Sequence, residues 1–352
     1  AVVHPAAYAR RDAAQLLESG PLKGERDAAR KEPKDRGALE LERRRVGRVA
    51  RHDGARWLDE GGDGIDEVIV ARLDPGDVTE DAAAARIGQA LLPDPAGQGL
   101  TAGVASAGRV NLHAAGPGVI ELSANAVAAM NRVHPMITLA TVPPWQRVEA
   151  GTMVATIKII SYAVPEAALA EAEVAVRGAI RLRAPAFRTA HLIETAIAGK
   201  DLGQKDLGQK GRLALEGRLD RLGLRLDDRE VVAHRVEDLT EALTRAGAEV
   251  IFVLTGSATS DPEDVGPAAL RAAGGHVERF GMPVDPGNLL FLGHLGERPV
   301  IGLPGCARSP ALNGADWVLE RVLCGVPVTH DDIAAMGVGG LLKEIATRPR
   351  PR

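Results

Sequence analysis

Aromatic residues are scarce: four Phe, three Trp and two Tyr make up 3% of the 352 residues. A core must therefore be built from Ala, Val, Leu and Ile, and a base-stacking surface for nucleic acid lacks its rings. Cysteine is almost missing, with only Cys306 and Cys324. Two thiols cannot frame a disulfide scaffold, nor a zinc site without several histidines nearby, so a reducing compartment is the default. No apolar run is long enough to span a bilayer, and the amino terminus shows no signal-peptide pattern; the expected address is the cytoplasm, with no membrane partner. Nor is there an excess of one charge. With 43 basic and 47 acidic residues the net charge is -4, which is no footprint for a polyanion. A small anionic ligand would need local amides or a local cation.

The length suggests two or three domains, and 45% hydrophobic residues can fill a real core. Residues 1–60 mix both charge signs with little periodicity, as in GPLKGERDAARKEPKDRG, and suit a solvated helix or an unfolded arm. Arg43, Arg44 and Arg45 fit a solvated face. From Ile65 the texture changes. IDEVIVARL reads as a strand and AAAARIGQALL as a helix, while GRVNL, GVIEL and TMVATIKIISYAV are β-like. WQRVEAGTMVATIKI suggests a hairpin-rich module rather than a helical one, and a helix opens near Pro165. A boundary is placed near residue 175. The repeat DLGQKDLGQK at 201–210 is too short for a solenoid and reads as a loop duplication or a sequence irregularity.

Beyond residue 176 strands and helices alternate. TAHLIETAI and AEVIFVL read as strands, and VEDLTEALTRAG sets Val236, Leu239 and Leu243 on one helical face. NLLFLGHLGERPVIGL reads as two strands about a turn. ALNGADWVLERVLCG sets Leu312, Ala315, Leu319 and Val322 on a helical face. Such alternation argues for a parallel or mixed sheet covered on both faces, with ligands beyond the carboxyl ends of its strands.

Three loops follow strand ends. In TGSATSDPEDV, Thr255, Gly256, Ser257 and Thr259 offer hydroxyls, amides and close approach. Structural capping accounts for the same residues: Asp261 as a helix N-cap, Pro262 as first helical residue, Asp264 as capping-box partner. GMPVDPGNLLFLG contains a turn with Gly287 and Asn288. In VIGLPGCARSP, Gly302, Pro304 and Gly305 fix a turn, and Arg308 and Ser309 stand where the next helix should open. Phosphate at the first loop would be repelled by its acids unless a cation such as Mg²⁺ lay between.

These residues carry a resemblance. TGSATSDPEDVGPAA resembles the Thr-Gly-Gly-Thr-Gly…Pro-Arg-Asp-Val signature of molybdopterin-binding domains. GMPVDPGNLLFLG and VIGLPGCARSP resemble the Lys-Pro-Gly-Lys-Pro and Gly-Leu-Pro-Gly-Asn-Pro segments of molybdopterin molybdenumtransferases, in the same order and over roughly residues 180–325. The resemblance implies a three-layer α/β/α domain with a mostly parallel sheet, preceded by a smaller β-rich α+β amino-terminal domain. The expected division is 1–60, a poorly defined segment; 61–175, the β-rich domain; 176–330, the binding domain; and 331–352, a tail. It implies a role in molybdenum cofactor synthesis as a transferase that inserts molybdate into molybdopterin, in its adenylylated form, with Mg²⁺. The other role it allows is a carrier that hands cofactor to a nucleotidyltransferase or a molybdoenzyme. It implies a homo-oligomer. Asp264 matches the acidic residue of metal-assisted chemistry, and Thr255, Gly256, Ser257 and Thr259 match the phosphate- and pterin-cradling turn. Gly287 and Asn288 match the middle loop, and Gly305 and Ser309 the last loop, where Gly302 and Pro304 fix the turn and Arg308 is expected to compensate for missing lysines. The chain departs from the pattern at Ser257, Asp285, Asn288 and Cys306–Arg308, where a glycine, two lysines and Asn-Pro-Val are usual.

Overall fold

The computed structural model describes residues 73–197 and 205–342, together with short strands at Val46–Arg48, Trp57–Leu58, Gly64–Ile65 and Ile69–Ala71. Most of the expectations for residues 1–72, and those for the first repeat copy up to Gln204, lie outside the described residues. The fold is mixed α/β.

Ahead of residue 184, an alanine-rich helix, Glu80–Leu91, buries Ala83, Ala84, Ile87 and Leu91. Small side chains let it lie close on an antiparallel sheet ordered Leu100–Ala102, Arg109–Ala114, Met153–Ile159, Ile137–Thr141. The helix expected after Pro165 spans Glu166–Val176, with Pro165 in the N-cap position. WQRVEAGTMVATIKI supplies strands to antiparallel pairings in two sheets. Arg147–Val148 pairs with Gly118–Leu122, whereas Met153–Ile159 pairs in the other sheet. In the turn between them the Gly151 amide donates to Ala114 O (2.8 Å). Ile180–Arg183, past the expected boundary, returns to pair with Gly118–Leu122.

The second sheet has six strands: β1 (Thr189–Ala196), β2 (Arg225–Ala233), β3 (Val250–Leu254), β4 (His276–Phe280), β5 (Phe291–Leu295) and β6 (Arg298–Gly302). Their order is β2-β1-β3-β6-β5-β4. The first three pairings are parallel and the last two antiparallel. Five helices accompany it: α1 (Lys205–Asp220), α2 (Val236–Arg245), α3 (Val265–Ala272), α4 (Gly314–Leu323) and α5 (His330–Ala335). Strand alternation distributes them. Ile193, Ile251, Val253 and Val300 pack with Leu239, Leu243 and Leu270 of α2 and α3. Leu192, Phe252, Leu254 and Ile301 pack with Leu215, Leu219, Leu319 and Leu323 of α1 and α4. Every residue of β3 is buried, and each such Leu, Ile, Val or Phe contributes about 1.5–3 kcal/mol.

Two expectations are corrected. The second repeat copy, Asp206–Lys210, is helical, being the first turns of α1 rather than a loop. Leu312 is exposed and precedes α4, because Asn313 and Asp316 form a capping box that starts the helix at Gly314. The segment after residue 330 includes the capped helix α5, whose Ile333 enters the core.

Candidate functional site

Strand register brings the three loops to one place. Glu194 on β1 lies beside Leu254 on β3, and Val253 lies beside Gly302 on β6. Gly302 in turn lies beside Phe291, and Phe291 beside Phe280. The chain therefore leaves β3, β4 and β6 at the same edge of the sheet, the carboxyl edge of its parallel strands, where α/β folds gather ligands.

The first loop is closed by its own polar groups. Thr255 Oγ1 donates to Ser257 O (2.6 Å) and meets Thr259 Oγ1 at 3.1 Å; Thr259 is buried while Ser257 is exposed. The Gly256 amide is spent on Thr195 Oγ1 (2.9 Å). Glycine is required there because an added Cβ would come within 2.5 Å of Thr195 O. That tightness serves packing on β1. Asp261 is not the helix N-cap: Asp264 holds that position, since α3 starts at Val265. The Asp264 carboxylate turns back, with Oδ2 accepting from the amides of Ser260 (2.6 Å) and Asp261 (3.1 Å), while Asp261 Oδ1 accepts from Glu263 N (2.8 Å). The acids thus shape the turn before the helix.

The third loop is held from below. Pro304 precedes a 3-10 turn, Gly305–Arg308, and Ser309 ends it, so these residues lie ahead of α4 rather than at its opening. Arg218 of α1, 5% exposed, ion-pairs with buried Asp316. It also donates to the carbonyls of Ala307 (2.9 Å), Ser309 (2.9 Å) and Ala311 (3.3 Å). Arg308 joins the first and third loops: Nη2 donates to Thr255 O (3.2 Å) and Nη1 pairs with Glu194 (3.4 Å). Glu194, 4% exposed, also receives Arg229 at 2.5 Å. Gly302 is pressed against Phe291, whose ring atoms lie 1.9 Å from where a Cβ would stand.

The second loop is tied to the third through Asn313. A Cβ on Gly287 would approach Gly314 Cα to 2.9 Å and Asn313 Oδ1 to 3.2 Å, and Asn313 Nδ2 donates to Cys306 Sγ (3.1 Å). Asn288 Nδ2 donates to Met282 O (3.3 Å). Among the described residues no hydrogen bond joins Gly287 or Asn288 to the Thr255 loop. Beside the third loop, a groove of about 670 Å³ runs between α1 and Gly305–Pro310, edged by Lys210, Cys306 and Arg308.

Sequence reasoning missed Glu194, Thr195, Arg218, Arg229 and His234. Thr195 Oγ1 meets His234 Nδ1 at 2.7 Å, and burial lowers the His234 pKa against a weaker pull from Asp264. A signal was available: Glu194, Thr195 and His234 are polar residues at the ends of apolar strand runs. No group of three or more His, Cys, Asp or Glu able to hold a metal occurs among the described residues. If Mg²⁺ were to bind here, Asp264 is the loop carboxylate that would hold it, and the ion would supply neutralisation of phosphate charge.

The fold and its loop-bearing edge define an α/β domain. Residues 201–323 match the family described as "Probable molybdopterin binding domain". Among solved structures, the chain is similar to a molybdopterin biosynthesis moea protein from Pyrococcus horikosii. The identity is 16%, the TM-score 0.30, and the match covers 83% of this chain and 80% of that one. It is similar to the molybdopterin biosynthesis enzyme MoaB from Thermus thermophilus at 21% identity and TM-score 0.27, over 45% of this chain and 99% of that one. A MogA structure aligns at 20% identity and TM-score 0.26, over 38% of this chain and 93% of that one. No curated protein gives a significant match. No helix among the described residues is long and apolar enough to cross a membrane.

Proposed function

We propose that the carboxyl edge of the six-stranded sheet binds molybdopterin and that the protein acts in molybdenum cofactor synthesis. The observation that carries this reading is the convergence of the Thr255, Gly287 and Gly305 loops on one edge of the family-matched domain. The sheet between two helix layers is read as the family's three-layer domain. The β-rich part before it, with strand Ile180–Arg183 included by its pairing, is read as a second unit.

In this reading Ser257 and the exposed amides beside it face the substrate, while Thr255, Thr259 and the Asp264 carboxylate keep the turn in shape. Gly305 and Ser309 line the groove beside α1, with Lys210 and Arg308 as its cations. Bound Mg²⁺ would neutralise phosphate charge next to Asp264. The transferase reading is insertion of molybdate into adenylylated molybdopterin. The carrier reading has its own support, because Arg308 and Asp264 already spend hydrogen bonds on Glu194, Thr255 and the loop amides.

Incubating purified protein with adenylylated molybdopterin, molybdate and Mg²⁺ separates the two. AMP release with molybdate insertion establishes the transferase. Bound pterin without AMP release establishes the carrier, and no bound pterin removes both.

A further inference from the structure

The Thr195 hydroxyl, in a residue 1% exposed, has two hydrogen-bond neighbours: the Gly256 amide at 2.9 Å and His234 Nδ1 at 2.7 Å. The amide can only donate, so it occupies a lone pair of Oγ1. The hydroxyl's own proton then has a single acceptor among the described residues, His234 Nδ1. With Nδ1 accepting, the ring is neutral and carries its proton on Nε2. The opposite arrangement, Nδ1–H donating to Oγ1, would leave a buried hydroxyl proton without an acceptor, which is costly. Burial of the ring favours the same neutral form, since it lowers the His234 pKa against the weaker pull of Asp264.

This chain of bonds ends on one peptide unit. The Thr255–Gly256 peptide donates its N–H to Thr195 Oγ1, and its carbonyl accepts from Arg308 Nη2 at 3.2 Å. The unit is therefore held from both sides, by the third loop through Arg308 and by β1 and β2 through Thr195 and His234. His234 reaches this place because it follows β2, its own amide donating to Ala196 O at 2.7 Å, one residue past Thr195. The peptide leads straight into exposed Ser257. Gly256 has no side chain to resist rotation, so the two hydrogen bonds decide how the amides that follow are aimed.

We propose that His234 is a positioning residue for the Thr255 loop: by accepting the Thr195 proton it turns a hydroxyl lone pair to the Gly256 amide and fixes the peptide that presents the loop at the sheet edge. Its consequence for substrate rests on the pterin reading of that edge, whereas the hydrogen-bond chain itself does not.

The test uses the full chain with two isotope labels at neutral pH. Thr255–Gly256 is the only Thr-Gly step in the sequence, so carbonyl-13C threonine with 15N glycine selects this one peptide in the NMR spectrum. Labelling histidine with 15N reads the His234 tautomer, the resonance being assigned by its loss in His234→Asn. Without ligand, the Nε2–H tautomer and a Gly256 amide protected from hydrogen exchange are expected. His234→Leu fills the space of the ring without an acceptor and should lower that protection at least tenfold. His234→Asn, whose Oδ1 stands near the place of Nδ1, should keep it within about threefold; a role in packing alone predicts the reverse order. Thr195→Val keeps the shape of the threonine and should match His234→Leu, so it reports even if that variant does not fold. Molybdopterin affinity should follow the same order, with at least a tenfold loss in His234→Leu and Thr195→Val. An Nδ1–H tautomer, unchanged Gly256 protection in folded His234→Leu, or full pterin affinity where that protection is lost would each overturn the proposal. No pterin binding by the wild type would instead remove the pterin reading of the edge, while the tautomer and the exchange, measured without ligand, still decide the chain of bonds.

Discussion

The loop after β3 and the loop after β6 leave the same edge of one sheet, yet they are held by different means. Thr255, Thr259, Ser260 and Asp264 close the first loop within ten residues of chain. The third loop is closed by Arg218, which lies 89 or more residues earlier in sequence than the carbonyls of Ala307, Ser309 and Ala311. A locally closed loop keeps its shape through short-range bonds and leaves Ser257 exposed. A loop anchored on a buried ion pair depends on the whole domain being folded.

Removing the remote anchor gives the largest expected effect. Arg218→Met strands the Asp316 carboxylate in the core and should cost about 3–5 kcal/mol, measured by urea unfolding. A smaller effect would show that the third loop closes itself as the first does. Next comes Gly302→Ala, whose methyl meets the Phe291 ring. Overpacking of this kind should cost about 1–3 kcal/mol, with part of the loss recovered in the Gly302→Ala, Phe291→Leu double variant.

The helix that carries Asp316 also gives a pH test. Burial, then repulsion from Asp316, raise the Glu320 pKa from 4.5 to about 7, and attraction to Arg147 and Arg221 only partly opposes them. Folding therefore takes up a proton between those two values. The stabilisation is fully present below about pH 4.5 and is lost as pH rises through about 7. From pH 5 to 8 the wild type should lose stability on the order of 1–3 kcal/mol from this group, and Glu320→Gln should flatten that slope. The smallest effect on stability is expected at the first loop. Asp264→Asn keeps an acceptor for Ser260 N and Asp261 N, so unfolding should shift by about 1 kcal/mol or less. Any metal-dependent turnover should disappear while molybdopterin still binds, which steady-state assays and equilibrium binding check separately.

What could be read from the sequence follows the same contrast. The periodicity of Val236, Leu239 and Leu243 placed α2, and the apolar run VIFVL placed β3, because both signals are local. The tight turn at Gly256 was also legible, although its cause, the carbonyl of Thr195, was not. Capping chemistry misled by one turn: Asp261 and Asp264 had the right residue types, but Pro262 and Glu263 sit in a turn and α3 waits until Val265. Arg218 and Trp145 were invisible because each matters through a partner distant in sequence, respectively Asp316 and Arg321.

The most direct measurement is equilibrium titration of the full chain with molybdopterin, comparing wild type with Ser257→Trp. Ser257 is exposed, so the indole should leave the melting temperature unchanged while filling the space in front of the Thr255 loop. Saturable binding by the wild type and at least a tenfold loss in Ser257→Trp is the predicted result. No binding by the wild type, or full affinity in the folded variant, would contradict a pterin site at this edge.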